Sequence, residues 1–311
     1  MRIIQQLLFE ILQTIRRQHV RRSTYTRRGP GAGTHGVGDR ENLPGRGYPT
    51  VVWNRTGAKA DALVELGATR ASSAAAAAAA APLVVVSLLD DDAVGAALRD
   101  TGPRLRGRVL VNLTSSTPEQ SRRRAEWAGR HGAEYVDGAV LAVPQGIGTP
   151  DALLLYSGSE SGYRAAEPAL STLAEKGTYL GADHGRAAAF DASLVSVFWL
   201  SLFGVSLGIA LAEAEGIKGS ELVPFTPAVV SLLPDMAAQT AAQVEAGHYP
   251  GDDTSISSAY TAFTTLREVI ARHGIDTGVL DATGEVFRRA LAAGHGAEGL
   301  ARLVPVLTGD R

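Results

Sequence analysis

Residues 181–214 read GADHGRAAAFDASLVSVFWLSLFGVSLGIALAEA. Past Arg186 the run reaches Ala212 with one ionisable side chain, Asp191, and with no proline. Leu, Ala, Val and Phe at this density, without a breaker, predict one long helix. A bilayer needs about 20 apolar residues, so the run is long enough to span one. Three features favour a protein environment instead. The chain has no second run of this kind. Ser193, Ser196, Ser201, Gly204, Ser206 and Gly208 suit close helix packing. Asp191 near the start would be costly in lipid. The helix is therefore expected to be buried on all sides, passing from one domain into another or gripping a second subunit.

Asp191 is the odd residue of the run. Helical spacing sets Val195, Phe198, Trp199 and Leu202 on or near its face. Desolvation in such company favours the neutral carboxyl, which suits a proton donor near neutral pH. A helix-start carboxylate favoured by the dipole and partly solvated explains the same residue. Helix chemistry alone leaves both readings open.

Upstream, strands alternate with helices. Thr50-Val-Val-Trp53, Leu83-Val-Val-Val-Ser87, Arg108-Val-Leu-Val-Asn-Leu113, Ala133-Glu-Tyr-Val-Asp137, Ala152-Leu-Leu-Leu-Tyr156 and Lys176-Gly-Thr-Tyr-Leu180 read as strands. Alanine-rich 71–81 reads as a helix, and Asp90–Asp92 and Thr114–Pro118 as helix starts. This alternation predicts an α/β domain with a doubly wound parallel sheet. Downstream only helices are expected, over 221–247, 253–274 and 279–294, with breaks at Gly247, Gly274 and Gly294.

Gly29 to Gly47 is rich in glycine and contains Gly31-Ala-Gly33-Thr-His-Gly36, a literal GxGxxG. Alone this is weak, because the motif should follow an apolar strand and open a helix. Its spacing to the strand ending at Asn54 nevertheless matches a dinucleotide-binding unit, where an Asp or Glu would hold the ribose of NAD. Here stand Asn54, Arg55 and Thr56, with Lys59 one turn on. Two cations and two neutral hydrogen-bonding groups suit a 2′-phosphate, so NADP is favoured over NAD. An ordinary solvated turn is the alternative.

The chain has 311 residues, a net charge of −2, 45% apolar residues and no cysteine. That length suggests two domains. The charge gives no reason to expect nucleic acid as a partner. Disulfides, thiolate metal sites and a cysteine nucleophile are excluded. The seven histidines lack ligand spacing, so no metal is expected. Residues 1–28 combine an amphipathic stretch with an arginine-rich tail and lack the pattern of a secretory signal, so an atypical extension on a cytoplasmic protein is expected, with no membrane partner.

Several motifs recur in order along residues 48–311: Trp53-Asn-Arg-Thr-x2-Lys59, Asn112-Leu-Thr114, Leu141-Ala-Val-Pro144 with Ile147-Gly148, and Gly181-x-Asp183-x-Gly185-x-Ala187-x3-Asp191. Gly247-His-Tyr-Pro-Gly251 and Ala293-Gly-His-Gly296 close the set. Together they resemble the imine reductase family, a branch of the β-hydroxyacid and 6-phosphogluconate dehydrogenase group. The resemblance implies a Rossmann-type domain over 29–180, an interdomain helix over 181–214 and an all-α domain over 215–311. It implies NADPH held by Gly31, Gly33, Gly36, Asn54, Arg55, Thr56 and Lys59, with Leu88, Thr114 and Val140 bordering the ribose and nicotinamide. It implies hydride transfer to the C=N carbon of a small imine or iminium, with Asp191 as proton donor. Phe198 and Trp199 are candidate pocket residues, explained equally well as core. A domain-swapped homodimer is implied too.

Two departures matter. The parent dehydrogenases carry a catalytic Lys where this chain has Asp191, Asn where it has Leu194, and a Ser-Gly-Gly substrate loop where it has Leu141-Ala142-Val143. A hydroxy acid would lose its base and its carboxylate anchor, whereas an imine needs neither. The family also begins with an apolar strand leading into Gly-Leu-Gly-x-Met-Gly, and residues 1–47 do not. Either that segment is an out-of-frame reading of the coding DNA, which the abrupt return of the pattern at Gly47 favours, or nucleotide is bound poorly. The alternative functions are a β-hydroxyacid dehydrogenase-like oxidoreductase and a non-catalytic nucleotide-binding or scaffold protein.

Overall fold

The computed structural model describes residues 48–65, 67–142, 146–174 and 177–309. The extension over 1–28, the segment 29–47 with Gly31, Gly33 and Gly36, and the question of its reading frame lie outside the described residues.

Two compact units divide between Phe198 and Trp199. In the first, β1 (Val51–Val52) pairs in parallel with β2 (Thr69–Arg70), and α1 (Asp61–Glu65) lies between them in sequence. A second sheet runs in the order β3 (Leu83–Val86), β4 (Val109–Asn112), β5 (Glu134–Leu141), β6 (Leu153–Gly158), β7 (Gly177–Tyr179). Helices α2 (Ala74–Ala79), α3 (Asp91–Leu98), α4 (Pro118–Arg130) and α5 (Glu160–Leu170) connect or flank these strands. Strand alternation sends Leu110 and Tyr135 into one apolar cluster, with Val94 and Leu98 of α3 and Ala128 of α4. Val111 and Val136 enter another, with Tyr163, Ala166 and Leu170 of α5. Both faces of the sheet are therefore covered, as a doubly wound fold requires.

One pairing departs from the all-parallel expectation: β5 and β6 are antiparallel. Residues 142–152 join them with no α-helix among the described positions. A parallel return needs a crossover of about a dozen residues or more, usually helical, so this short link turns the chain back. β5 also continues four residues past the expected end at Asp137, to Leu141.

Helix α6 (Arg186–Ala214) is the expected long helix. Its burial is not as expected. Within the chain only Ala187, Ala188 and Ala212 of this helix are buried. Val197, Phe198, Trp199 and Leu200 are 57–65% exposed. Successive residues of a helix are 100° apart, so four in a row look out on every side. The core reading of Phe198 and Trp199 is thereby corrected for the single chain. By length and composition α6 could cross a membrane.

The second unit is helical: α7 (Gly219–Leu222), α8 (Thr226–Val230), α9 (Leu233–Ala246), α10 (Ile256–Arg272), α11 (Gly278–Ala292) and α12 (Leu303–Thr308). The single helix expected over 221–247 is thus divided. Pro224, Pro227 and Pro234 each stand at the start of a new helical segment. Proline has no N–H to give an earlier carbonyl and is tolerated at a first turn, so each one ends one segment and opens the next. Gly247, at φ 62°, ends α9 in the left-handed conformation that side chains disfavour. Ile256, Phe287, Ala290 and Val306 form the core of this unit.

Candidate active site

The site is built on one register row of the sheet. Val86, Asn112, Asp137 and Ser157 are successive partners across β3, β4, β5 and β6. Directly paired residues share a face, so three polar side chains stand side by side. All three are buried: Asn112 2%, Asp137 2% and Ser157 0% exposed.

Helix α6 begins over this row. Ser157 Oγ accepts the N–H of Ala187 at 2.9 Å. The Ala188 N–H acts on the Asp137 carboxyl and holds it down against the effect of burial. The carbonyls of Asp183 and Gly185 accept the N–H groups of Arg186 and Ala189, each at 3.0 Å. The first turn of a helix has unpaired donors that something must satisfy, and here the buried Ser157 hydroxyl satisfies one of them.

The approach to α6 explains the Gly181-x-Asp183-x-Gly185 spacing. Arg122 of α4 gives Asp183 two parallel hydrogen bonds of 2.9 Å, Nε to Oδ1 and Nη2 to Oδ2. Asp183 Oδ1 also accepts the Gly185 N–H at 3.0 Å. These bonds hold the Asp183 carboxyl below the usual carboxylate range. A Cβ on Gly185 would come within 2.8 Å of Arg122 Cζ and 2.9 Å of the Pro118 carbonyl oxygen. Only glycine fits this close approach.

Asp191 lies one turn past Ala188, on the same side of α6. It is half-buried, and desolvation holds its carboxyl above the ordinary range. Asp137 is its carboxyl neighbour. Burial pushes Asp137 up to about 7, and the charge of Asp191 adds to the push. Hydrogen bonds from Ser121, Tyr135 and Ala188 oppose it. Tyr135 Oη donates to Asp137 Oδ1 at 3.1 Å.

The other expected site residues fall into separate groups. Asn54 Oδ1 accepts the Thr56 N–H at 2.9 Å, and the Thr56 carbonyl accepts the Lys59 N–H at 2.9 Å. This compact turn at the end of β1 leaves Arg55, Thr56 and Lys59 exposed. Among the described residues neither Arg55 nor Lys59 pairs with a carboxylate. Two cations beside two hydrogen-bonding groups fit a phosphate, so this turn is compatible with the 2′-phosphate of NADPH. Leu88 and Thr114 are tied directly: Thr114 Oγ1 accepts the Leu88 N–H at 2.9 Å. Thr114 N–H donates in turn to Asn112 Oδ1 at 3.2 Å, so the ends of β3 and β4 are linked to the polar row. Val140 packs with the apolar cluster under α5. Phe198 and Trp199 stand exposed on α6.

Residues 183–309 match the C-terminal domain of the NADPH-dependent reductive aminase-like family, and residues 31–181 match the NAD-binding domain of 6-phosphogluconate dehydrogenase. An NADPH-dependent reductive aminase from Aspergillus oryzae is 32% identical over 262 residues, which cover 83% of this chain and 88% of that protein. This chain belongs to the NADPH-dependent reductive aminase and imine reductase family. Its fold agrees with solved members. An imine reductase from Myxococcus stipitatus in complex with NADP+ is 34% identical with a TM-score of 0.79, over 84% of this chain and 92% of that one. A Streptomyces aurantiacus imine reductase is 29% identical with a TM-score of 0.83, over 96% of both. Membership makes this chain an NADPH-dependent oxidoreductase acting on C=N bonds.

Two residues of the site, Asp137 and Ser157, escaped the sequence reading. A strand that stays apolar on both sides of an aspartate was the available signal. Residues 135–141 read Tyr-Val-Asp-Gly-Ala-Val-Leu, and a lone carboxyl in such a run has to be held by something.

Proposed function

We propose that this chain reduces small, including cyclic, imines and iminium ions to amines, and that Asp191 is its proton donor. The observation that carries the reading is a single carboxyl on an apolar helix, half-buried and raised above the ordinary carboxylate range by desolvation. NADPH, when bound, supplies the hydride for the C=N carbon. Asp191 supplies the proton for the nitrogen, or holds the iminium cation in place. A carboxyl whose neutral form is favoured by desolvation suits that task. Arg55 and Lys59 would hold the 2′-phosphate, with Asn54 and Thr56 adding hydrogen bonds. Gly31, Gly33 and Gly36 would face the pyrophosphate, and Leu88, Thr114 and Val140 would border the ribose and nicotinamide. Phe198 and Trp199 remain candidates for the substrate pocket.

The functional division is an NADPH-binding domain over 29–180, the helix over 181–214 and a helical domain over 215–311; the family matches that meet between 181 and 183 support it. The working form is a domain-swapped homodimer in the cytoplasm. Support for a dimer comes from the exposed apolar middle of α6 and from Phe225, Val229 and Leu232, which are 72%, 68% and 58% exposed.

Purified chain with NADPH and 2-methylpyrroline is expected to consume NADPH and form the cyclic amine. NADP+ with a hydroxy acid is expected to give no turnover. Binding of NADPH without consumption on any imine would overturn the reading in favour of a non-catalytic nucleotide-binding protein.

A further inference from the structure

The proposed reaction makes no use of the Gly181-x-Asp183-x-Gly185 motif. Its bonds join two helices of the first unit. Arg122, on the second turn of α4, gives the Asp183 carboxylate two parallel hydrogen bonds of 2.9 Å. Such a fork fixes the distance and the rotation of the carboxylate together. Asp183 in turn holds the lead into α6 at two points. Its Oδ1 accepts the Gly185 N–H, and its carbonyl accepts the Arg186 N–H, each at 3.0 Å. Gly185 lies hard against the first turn of α4, where a Cβ would come within 2.9 Å of the Pro118 carbonyl oxygen. That turn is locked to the segment after Thr114. Thr117 Oγ1 accepts the Gln120 N–H at 3.2 Å, and Gln120 Oε1 accepts the Thr117 N–H at 2.7 Å.

Two helices are thus set against each other at their starts. One follows Thr114, the proposed neighbour of the nicotinamide, and the other carries Asp191. The Arg122 and Asp183 side chains are each 48% exposed. An ion pair so exposed contributes little to stability, so its worth lies in geometry. Asp191 stands five residues past Arg186, the first residue of α6. That is about 7 Å along the axis, so a tilt of about 10° at the start displaces it by roughly 1 Å.

We propose that Arg122 and Asp183 are positioning residues for the reaction: together they set the angle at which α6 leaves α4, and with it the place of the Asp191 carboxyl relative to the substrate nitrogen. The inference rests on Asp191 as the proton donor. A misplacement of about 1 Å can cost roughly 100-fold in rate. A permanently charged iminium needs no proton, so it should feel the misplacement of Asp191 less than a neutral imine does.

Arg122→Lys and Asp183→Asn test this. R122K keeps the charge and loses the fork. D183N keeps an oxygen for the Gly185 N–H and loses the charge. Turnover at saturating substrate is compared for a neutral cyclic imine and a permanently charged iminium. Each variant is expected to lose roughly 10–100-fold on the neutral imine, with the iminium spared by comparison. The melting temperature should stay within about 2 °C of the wild type, and NADPH affinity by fluorescence titration should not move. The double variant should lose no more than the worse single one, because the two residues act as a unit. A ratio of neutral to charged turnover equal to the wild type's in both single variants overturns the proposal, whatever happens to the melting temperature. Losses that multiply in the double variant overturn it too. D183N decides the matter alone if R122K does not fold. Failure of the Asp191 reading shows elsewhere: Asp191→Asn would then keep full turnover of the neutral imine.

Discussion

The two halves of α6 are held by opposite means. Its first turn is fastened within the chain: Ser157 takes the N–H of Ala187, and Ala187 and Ala188 are 0% and 4% exposed. Its middle stands largely exposed: Trp199 and Leu200 are 60% and 65% exposed. Polar side chains of the sheet fix where the helix starts and where Asp191 points. Apolar bulk alone stabilises the rest, and apolar bulk has value only when covered. The first half is thus a precise device complete in one chain, and the second is a surface that lacks its cover. The proposed chemistry belongs to the first half and the proposed assembly to the second.

The largest effect is expected at Asp191. Asp191→Asn should lower turnover of a neutral imine by about 10²–10⁴ while NADPH affinity stays nearly constant. A permanently charged iminium needs no proton, so its reduction should be spared. Loss of both activities would assign Asp191 to electrostatic support of the cation. Full activity on both substrates would leave it a helix-start carboxylate.

The second half of α6 is broken by charge. Trp199→Glu puts a carboxylate on a face that is exposed in one chain and covered in the proposed dimer. An unpaired buried charge costs about 3–5 kcal/mol, or roughly 10²–10⁴ in the association constant. Light scattering at micromolar concentration should report a dimer for the wild type and a folded monomer for W199E. A monomeric wild type would end the dimer proposal.

Smaller still is the effect expected at the β1 turn. Arg55→Ala should raise the Michaelis constant for NADPH by roughly 10–100-fold, the worth of a charge-assisted bond. The constant for NADH should scarcely change. Equal effects on both would mean that Arg55 does not reach the phosphate.

The sequence carried α6 and Asp191 openly, because composition over a long window and one charge within it are local signals. The strands and their alternation with helices were legible for the same reason. The polar row was not. Asn112, Asp137 and Ser157 are far apart in the chain, and only strand register brings them side by side. The reversal of β6 was hidden because a buried strand reads alike in either direction. Exposure of the middle of α6 could not be read either, since an apolar residue looks the same whether its own chain or another covers it. The division of 221–247 was legible in Pro224, Pro227 and Pro234, and the apolar pattern outweighed it.

The smallest effect compares the two halves of α6 through one kind of substitution. Ser157 Oγ accepts the Ala187 N–H from another element, and Ser157 is fully buried. Ser206 Oγ donates to the Leu202 carbonyl within the helix at 2.9 Å. Ser157→Ala removes a cap and leaves a buried N–H unpaired, which costs about 1 kcal/mol. In a chain of this size that lowers the melting temperature by about 2 °C. Turnover should fall with it, because the first turn that carries Asp191 is loosened, whereas NADPH affinity should hold. Ser206→Ala gives up only a bond to a carbonyl that the helix already uses, so its melting temperature should stay within the error of measurement. The comparison survives a dimer, because the Ser206 bond lies inside the helix whether or not a partner covers it. Equal shifts for the two variants would mean that the sheet does not fix the start of α6.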